Sequence, residues 1–313
     1  MIRGRGMNHC LGRVTVGAAA LMTWIGPLSG ETIPIPNGSF ESPATVFVDL
    51  NIDSWQKSPK PDDYVESGGF TWAQLAGTFK NTPAGNPDHI DNCDGNQAIW
   101  MFAVPKAGVF QDYNSKDWKD AEPTHAFDAR FEVGKSYQLT VGVIAMGGGM
   151  SNGATAEISL YYRDPASNMM TVAATAITNL PTIFSNRTHL IDFEVSIPTV
   201  QAADPWAGQN IGVQILSTVS TNLQGGYWDF DNVRLSSSQA PALLGGVFAN
   251  GQFTLTLQSE PGLRFEILAS SDVAQPLSNW TSLGTVSNAT GTVPFTDTTA
   301  NSSRRFYRAL QLP

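Results

Sequence analysis

The chain has 313 residues and a net charge of −9 at pH 7, with 14% charged residues, 29 glycines and 19 prolines. An acidic chain without a basic patch repels nucleic acids and anionic lipid surfaces, which excludes proteins that bind either of them by charge. Short apolar runs alternate with glycine and proline clusters, and no stretch has the period of an amphipathic helix, so the sequence favours an all-β protein.

The N-terminal segment has the three parts of a secretory signal peptide. Arg3, Arg5 and Arg13 give it a positive start, residues 14–28 are apolar and small, and small residues follow up to Gly30. About fifteen apolar residues are too few for a membrane anchor, which needs roughly 20. We therefore predict a signal peptide at residues 1–30 and a secreted, extracellular or cell-surface protein.

Cleavage of that segment would remove Cys10 and leave Cys93 as the only cysteine. The mature chain could then form no internal disulfide and would depend on its core, or on a metal ion, for stability. A lone cysteine of this kind is better explained as a buried thiol than as a reactive one.

Strand-like runs follow one another between residues 98 and 235. They lie at residues 98–104, 108–113, 137–145, 154–162, 170–177, 190–197, 210–219 and 226–235. Runs of this length between turn-forming residues are typical of a two-sheet sandwich or jelly roll.

The last of these runs has an irregular alternation. Trp228 and Phe230 share one parity, whereas Val233 and Leu235 share the other. The slip predicts a bulge or bend at residues 231–232. Asp231 then lies at the edge of the core, where a bare carboxylate is costly unless a positive group meets it.

Five motifs in this order carry a resemblance to a known family. The stretch "NGSFE" at residues 37–41 and the stretch "DNVRL" at residues 231–235 resemble the first and last strands of the galactose-binding-like β-sandwich of many carbohydrate-binding modules. Residues 94–98, 108–113 and 132–141 lie between them in the order that this family shows. The resemblance covers about residues 31–238, and it implies a noncatalytic protein that binds glycans.

The same resemblance implies a structural calcium ion between the first and last strands, with Glu41 and Asp231 as side-chain ligands. Calcium takes six to eight oxygen ligands, many of them backbone carbonyls. Asp229 is a weaker candidate ligand. The alternative is that Glu41 and Asp231 are hydrogen-bonded edge residues without an ion. Zinc is not expected, because His89, His125 and His189 lack ligand spacing.

Sugar binding needs exposed aromatic faces next to polar groups. Trp118 and Trp206 lie in polar loop sequences and are candidate ligand contacts, followed by Trp72 and Tyr64 on a glycine-flanked segment. Three further tryptophans are instead predicted to lie in the core, and these are Trp55, Trp100 and Trp228.

Linker composition at residues 239–242 separates a second domain at residues 243–313. This tail, with "FEILASSD" and "RRFYRALQLP", resembles small fibronectin-like modules that end secreted proteins of planctomycete and verrucomicrobial type. In such modules the residues that correspond to Trp280, Phe306 and Tyr307 are structural.

The sequence therefore predicts an all-β jelly roll or β-sandwich of galactose-binding-like type, followed by a small fibronectin-like β-sandwich. Its expected function is noncatalytic carbohydrate binding or cell-surface attachment, with a polysaccharide or cell-surface glycan as the partner. A structural protein of the extracellular matrix or of a surface assembly, with protein partners, is the alternative. An enzyme is not expected. A polysaccharide lyase using His125 or His189 with a tyrosine, or a glycosidase, is the remaining catalytic alternative.

Overall fold

The computed structural model describes residues 30–66, 69–116, 127–239, 241–300 and 304–312. The predicted signal peptide lies outside the described residues except for Gly30, and it stays a prediction. No helix in the described ranges is long and apolar enough to cross a bilayer. The described chain is built almost entirely from antiparallel strands, which confirms the predicted all-β fold.

The first compact unit spans Gly30–Ser238. Its strands are β1 (Glu31–Ile33), β2 (Val48–Asp49), β3 (Gln56–Lys57), β4 (Ala76–Lys80), β5 (Gln97–Phe102), β6 (Gly108–Gln111), β7 (Lys135–Gly147), β8 (Thr155–Arg163), β9 (Met169–Thr178), β10 (Ile191–Ile197), β11 (Gly212–Ser217) and β12 (Tyr227–Gln239). A short 3₁₀ helix, Trp72–Leu75, precedes β4.

Two sheets form the sandwich of this unit. The seven-stranded sheet has the order β10-β7-β12-β5-β4-β2, with β1 also paired to β12, and the five-stranded sheet has the order β3-β6-β11-β8-β9. The first strand thus pairs with the last, with Ile33 opposite Leu235.

The core lies between the two sheets and is rich in aromatic residues. Trp55 and Trp228, both predicted as core, are fully buried there. Phe40 packs against Trp55 with ring centroids 5.3 Å apart, and Trp228 lies beside Phe230 at 6.3 Å. Large buried aromatic side chains of this kind supply much of the stability of a sandwich that has no disulfide.

Strand β12 changes the side that faces the core part-way along its length. Trp228 and Phe230 are buried in the core, and Val233 and Leu235 are buried in the same core although their parity is opposite. Asn232 absorbs the offset with a φ of 56°. This is the slip that the sequence predicts, and it leaves Tyr227 and Asp229 on the outer face of the seven-stranded sheet.

The second compact unit begins at Gln239. Its strands are β13 (Ala242–Ala249), β14 (Gln252–Gln258), β15 (Arg264–Ser270), β16 (Thr281–Ser287), β17 (Thr292–Asp297) and β18 (Phe306–Leu312). They form two three-stranded sheets, β13-β14-β17 and β16-β15-β18. Trp280 and Tyr307 are buried, and Phe306 is partly buried.

Candidate active site

A cavity of about 610 Å³ opens on the outer face of the seven-stranded sheet. This volume is within the range of sites that enclose a small organic molecule. Its wall is mainly apolar, and the apolar side chains are Val48, Leu50, Phe70, Phe79, Ile90, Trp100, Phe102, Ile144, Ala145 and Tyr227. The wall also contains Gln74, Thr82 and Gly147 and four charged residues, which are Lys80, Asp88, Arg187 and Asp229.

Strand β5 forms the floor of the cavity. One of its faces packs in the inter-sheet core, and the other faces the cavity. Ile99 and Met101 point into the inter-sheet core, whereas Trp100 and Phe102 line the cavity. The Trp100 ring lies over Gly77 of the neighbouring strand, where a Cβ atom would come within 2.3 Å of the ring. A larger residue than glycine at this position would therefore clash with the tryptophan ring and with the backbone carbonyl of Asp49, which would lie 2.4 Å from the added atom.

Aromatic rings enclose one end of the cavity. Phe70 packs on Phe102 with centroids 4.7 Å apart, and Phe102 meets Tyr227 at 6.2 Å. The Tyr227 ring rests on Gly147, where an added Cβ would lie 2.4 Å from the ring. We call this part of the cavity, formed by Phe70, Phe102 and Tyr227, the aromatic end.

Asp229 lies beside this aromatic end, directly opposite Trp100 in the β5–β12 register. Its side chain lines the cavity, and no described residue donates a hydrogen bond to its carboxylate. Burial raises the pKa of Asp229 to about 7, although the charge of Arg187 acts in the opposite direction. A carboxyl group in apolar surroundings retains its proton more readily than one in water, so Asp229 is suited to donate a proton.

The segment that carries Phe70 is fixed from behind by Tyr64 and Trp72. Tyr64 donates a hydrogen bond from its hydroxyl to the Phe70 carbonyl at 2.8 Å and packs edge-on against Trp72 at 4.9 Å. Trp72 is buried and donates from Nε1 to the carbonyl of Ser58 at 2.7 Å. These two predicted ligand contacts support the cavity wall and are not among its lining residues.

Lys57 of β3 holds the 3₁₀ helix that follows. Its side chain is only 7% exposed, and Nζ donates hydrogen bonds to the carbonyls of Ala73 and Ala76. Burial lowers the pKa of Lys57 to about 7, and the charge of Asp49 partly offsets that effect. The helix in turn orients Gln74, whose carbonyl accepts a hydrogen bond from Trp100 Nε1 at 3.3 Å.

The opposite end of the cavity is charged. Lys80 at the end of β4, Asp88 and Arg187 line it. We call this part of the cavity the charged end.

The two loop segments that carry Asp88 and Arg187 are bound to each other. The Asp91 amide donates to the Thr188 carbonyl at 2.9 Å, and Asn92 exchanges two hydrogen bonds with the backbone of Leu190. His189 Nδ1 lies 2.6 Å from Asp91 Oδ1, which accounts for this histidine as part of the same contact. The contact keeps residues 88–92 beside residues 187–190.

Of the other two predicted sugar contacts, the structure describes Trp206. Trp206 is partly buried, packs against the inter-sheet core and is not among the cavity-lining residues. Trp118 lies outside the described residues, as does His125 of the alternative lyase hypothesis. Trp100 was predicted as core and is instead partly buried in the cavity floor.

The predicted calcium ligands meet at one loop. Asp231 accepts a hydrogen bond from the Asp94 amide at 2.7 Å, and Glu41 accepts from the amides of Asn96 and Gln97 at 2.7 Å each. Between them, a Cβ at Gly95 would lie 2.6 Å from the Glu41 carboxyl group.

Burial and neighbouring charges shift the pKa values of two side chains at this loop. Burial raises the pKa of Asp231 to about 7, its two amide hydrogen bonds oppose that effect, and the Asp94 charge adds to it. Burial also raises the pKa of the Cys93 thiol far above its usual value, as expected of an unreactive thiol. In the part of the chain that the structure describes, no three His, Cys, Asp or Glu side chains are placed to hold a metal together.

Comparison with known proteins identifies the family. The sequence profile of the HpiC1-like family, described as HpiC1 cyclase, matches residues 31–236. The chain belongs to the HpiC1-like cyclase family. The match covers nearly all of the first unit, including every described residue of the cavity.

Solved structures give further likenesses. A cyclase from Fischerella sp. TAU is 22% identical, with 68% of this chain and 100% of that chain covered and a TM-score of 0.49. A Fischerella Stig cyclase, Fisc, in complex with (3Z)-3-(1-methyl-2-pyrrolidinylidene)-3H-indole is 21% identical over 68% and 100%, also at a TM-score of 0.49. The CBM22-1 xylan-binding domain of Paenibacillus barcinonensis Xyn10C is 10% identical over 60% and 87%, at 0.31. No curated protein matches the chain.

The family match corrects two predictions. The expected noncatalytic carbohydrate-binding function is wrong, and so is the expectation that the protein is not an enzyme, because the matched family is one of cyclases. The predicted β-sandwich itself is confirmed by the two sheets of the first unit. Carbohydrate-binding modules are among the solved structures with a weak likeness to the chain. The family match ends at residue 236, so the fibronectin-like character of the second unit stays a prediction.

Sequence reasoning also missed the residues of the cavity. Asp229 was considered only as a weaker calcium ligand, and Phe70, Phe102, Tyr227 and Arg187 were not singled out. One available signal was the continuous apolar run of β5, "AIWMF", which indicates a strand covered on both faces.

Proposed function

We propose that this protein is a cyclase that closes a ring in an apolar, unsaturated substrate bound in the cavity, with Asp229 as the proton donor. The observation that carries the proposal is a carboxyl group without a described hydrogen-bond donor in an aromatic-lined cavity. Membership of a cyclase family supports the reaction class. The cavity volume supports a small organic molecule as the substrate.

The chemistry follows from the surroundings of Asp229. Its carboxyl proton moves to a carbon of a substrate double bond, which leaves a carbocation and the Asp229 carboxylate. A second double bond of the substrate attacks the cation, and a carbon–carbon bond closes the ring. Loss of a proton back to the carboxylate restores the acid, so the product is an isomer of the substrate.

The aromatic side chains serve this step in two ways. The electron-rich faces of Trp100, Phe102 and Tyr227 attract a positive charge, an effect that grows when water is displaced. An apolar wall also keeps water away from the cation, which would otherwise be trapped as an alcohol.

The test relies on the fact that substrate and product are isomers and have the same mass. Purified full-length protein is incubated with a panel of prenylated and polyene compounds, and mass spectrometry follows the conversion of a compound to an isomer of equal mass. Asp229→Asn should lower the rate by about 10²–10⁴-fold, as expected for the loss of a general acid. The matched control is Asp88→Asn, which changes the other carboxyl group of the cavity.

Binding must be measured beside the rate, because a misfolded variant would also be inactive. The neutral fluorophore anilinonaphthalene reports on the cavity, and Asp229→Asn should bind it within about two-fold of the wild type. An active Asp229→Asn variant with intact binding would remove Asp229 from the mechanism.

Calcium binding at Glu41 and Asp231 is a separate proposal. The two carboxylates converge on residues 94–97, and Gly95 leaves room beside Glu41, which fits an ion held by two carboxylates and several carbonyl oxygens. When bound, the ion would offset the negative charge of the buried Asp231. No step of the proposed reaction depends on it.

Thermal unfolding tests the calcium proposal independently of activity. At 100 times its dissociation constant, a ligand adds about 2.7 kcal/mol of stability. For a protein of this size that corresponds to a rise in Tm of roughly 5–10 °C over the chelator-treated protein. Asp231→Asn should abolish the difference, whereas an unchanged Tm in wild-type protein would contradict calcium binding.

A further inference from the structure

The two ends of the cavity differ in charge, and the strand register places them on opposite sides of Asp229. Tyr227 is paired with Phe102 and Asp229 with Trp100, so the aromatic end lies two residues from the acid along β12. On β4, Gly77 is paired with Trp100, and Lys80 lies three residues further in the other direction. At 3.3 Å per residue the charged end begins roughly 10 Å along the strand from the floor.

The two cations of the charged end lack ionic partners in the structure. Within the described ranges, neither Lys80 nor Arg187 has a carboxylate oxygen within 4.0 Å of its charged nitrogens. Both side chains are exposed, and Asp88 is the carboxylate that lines the same end of the cavity, while the charge of Arg187 also acts on Asp229. The charged end therefore has a net positive charge, although the whole chain is acidic.

A substrate that fills the cavity displaces part of the water that hydrates these cations. Loss of that water is unfavourable unless the substrate supplies an opposite charge. We infer that the substrate is an amphiphile, with an unsaturated hydrocarbon part at the aromatic end and an anionic group, such as a carboxylate, sulfonate or phosphate, held by Arg187 and Lys80. This inference rests on the proposed function, because it concerns the substrate of the same cavity.

The opposite orientation is disfavoured by two features. The faces of the aromatic rings carry negative partial charge and would repel an anion at the aromatic end. Asp229 would add like-charge repulsion whenever its carboxyl group is ionised. The anionic group is therefore expected at the charged end. There, Arg187 offers a planar arrangement of hydrogen-bond donors that suits an oxyanion.

Binding of the anionic group at the charged end would position the substrate for the reaction. A group anchored at Arg187 and Lys80 fixes how far the hydrocarbon part extends toward Tyr227, and so selects which double bond lies beside Asp229. Binding energy from a part of the substrate that does not react is then used to orient the part that does. Arg187 and Lys80 are thus specificity-determining residues.

A matched pair of fluorescent probes tests the inference without knowledge of the substrate. Anilinonaphthalene and its sulfonate share one ring system and differ by one anionic group, so the ratio of their Kd values isolates the contribution of the charge. Full-length wild-type protein should bind the sulfonate about five-fold more tightly at low salt, which is the upper end of the range for an exposed ion pair. Salt should reduce this preference by screening.

Substitutions of the two cations test whether the preference for the sulfonate arises in the cavity. Arg187→Gln should abolish it and Lys80→Gln should reduce it, while the Kd for the neutral probe stays within about two-fold. Arg264→Gln makes the same change in net charge at an exposed arginine of the second unit and should retain the preference. Equal or weaker binding of the sulfonate by wild-type protein, or a preference that survives both cavity variants, would overturn the inference.

The outcome separates this inference from the proposed function. If the neutral probe binds and Trp100→Leu weakens that binding, the cavity is confirmed as the binding site. The ratio of the two Kd values then tests only whether the charged end binds an anionic group. If Trp100→Leu changes neither probe, the cavity is not the binding site, and the proposed function fails together with the inference.

Discussion

Trp100 and Asp229 face each other across two paired strands, and their surroundings give each a role that its residue type alone does not reveal. A tryptophan within an apolar strand is usually core. Trp100 departs from that pattern because β5 is covered on both faces, by the inter-sheet core on one and by the cavity on the other. The sequence shows this apolar run but not which of its faces encloses open space, since the enclosing residues, such as Phe70 and Arg187, are distant in the chain.

Substitution of two tryptophans tests this assignment at the residue scale. Trp100→Leu should weaken binding of anilinonaphthalene by about three- to ten-fold, because an aromatic contact is worth about 0.5–1.5 kcal/mol beyond its buried area. Trp206→Leu should leave the Kd unchanged, since that side chain packs against the core outside the cavity wall. Fluorescence titration of both variants measures the difference, and a larger effect at Trp206 would contradict the assignment.

At the scale of elements, the sequence predicts regular strands well and supporting contacts poorly. The predicted run at residues 137–145 lies within β7, and the run at 170–177 lies within β9, because alternation and flanking turn residues are local signals. Strand β4, "AGTFK", was missed because it is short and contains a glycine. The Lys57 contact with the 3₁₀ helix joins two sheets and leaves no mark in the local sequence.

The buried amine of Lys57 predicts a specific dependence of stability on pH. Its pKa is about 7 in the folded protein and near 10.5 in the unfolded chain. Between these values the unfolded state binds more protons, so the free energy of unfolding rises with pH, by up to about 1.4 kcal/mol per pH unit. Below pH 7 the amine is protonated in both states, and this contribution is constant and unfavourable.

Urea unfolding of Lys57→Met over a pH series measures this contribution. The variant should lack the part of the slope between about pH 7 and 10 that the wild type owes to Lys57. The control is Lys106→Met, which removes an exposed amine paired with Asp63 and should keep the wild-type slope. Equal slopes in Lys57→Met and wild type would show that the amine is not buried as described.

At the scale of the whole molecule, the family match and the compact units agree on where the cavity belongs. The match ends at residue 236, and the first unit ends at Ser238. All the residues that line the cavity lie in that unit, whose core is continuous between its own two sheets. The sequence predicts this division from the composition of residues 239–242, although β12 runs to Gln239 and β13 begins at Ala242.

Truncation tests the independence of the first unit. A chain that ends at Ser238 should fold and bind anilinonaphthalene with a Kd within about two-fold of that of the full-length protein, because it retains the complete core and cavity. Its thermal midpoint should match one of the transitions of the full chain. A truncated protein that fails to fold would show that the second unit contributes to the stability of the first.

The change of facing side along β12 has a consequence for how such a protein can evolve. The first half of the strand presents Tyr227 and Asp229 to the substrate, and after the offset at Asn232 the second half pairs with β1, where it closes the sandwich. Mutations that alter chemistry therefore fall on the outer face of the first half, at Tyr227 and Asp229, whereas the core contacts of Trp228 and Phe230 and the pairing of the second half maintain the fold. A lineage could exchange Tyr227 to acquire new substrates while Asp229 and the seam between its first and last strands stay under undiminished selection.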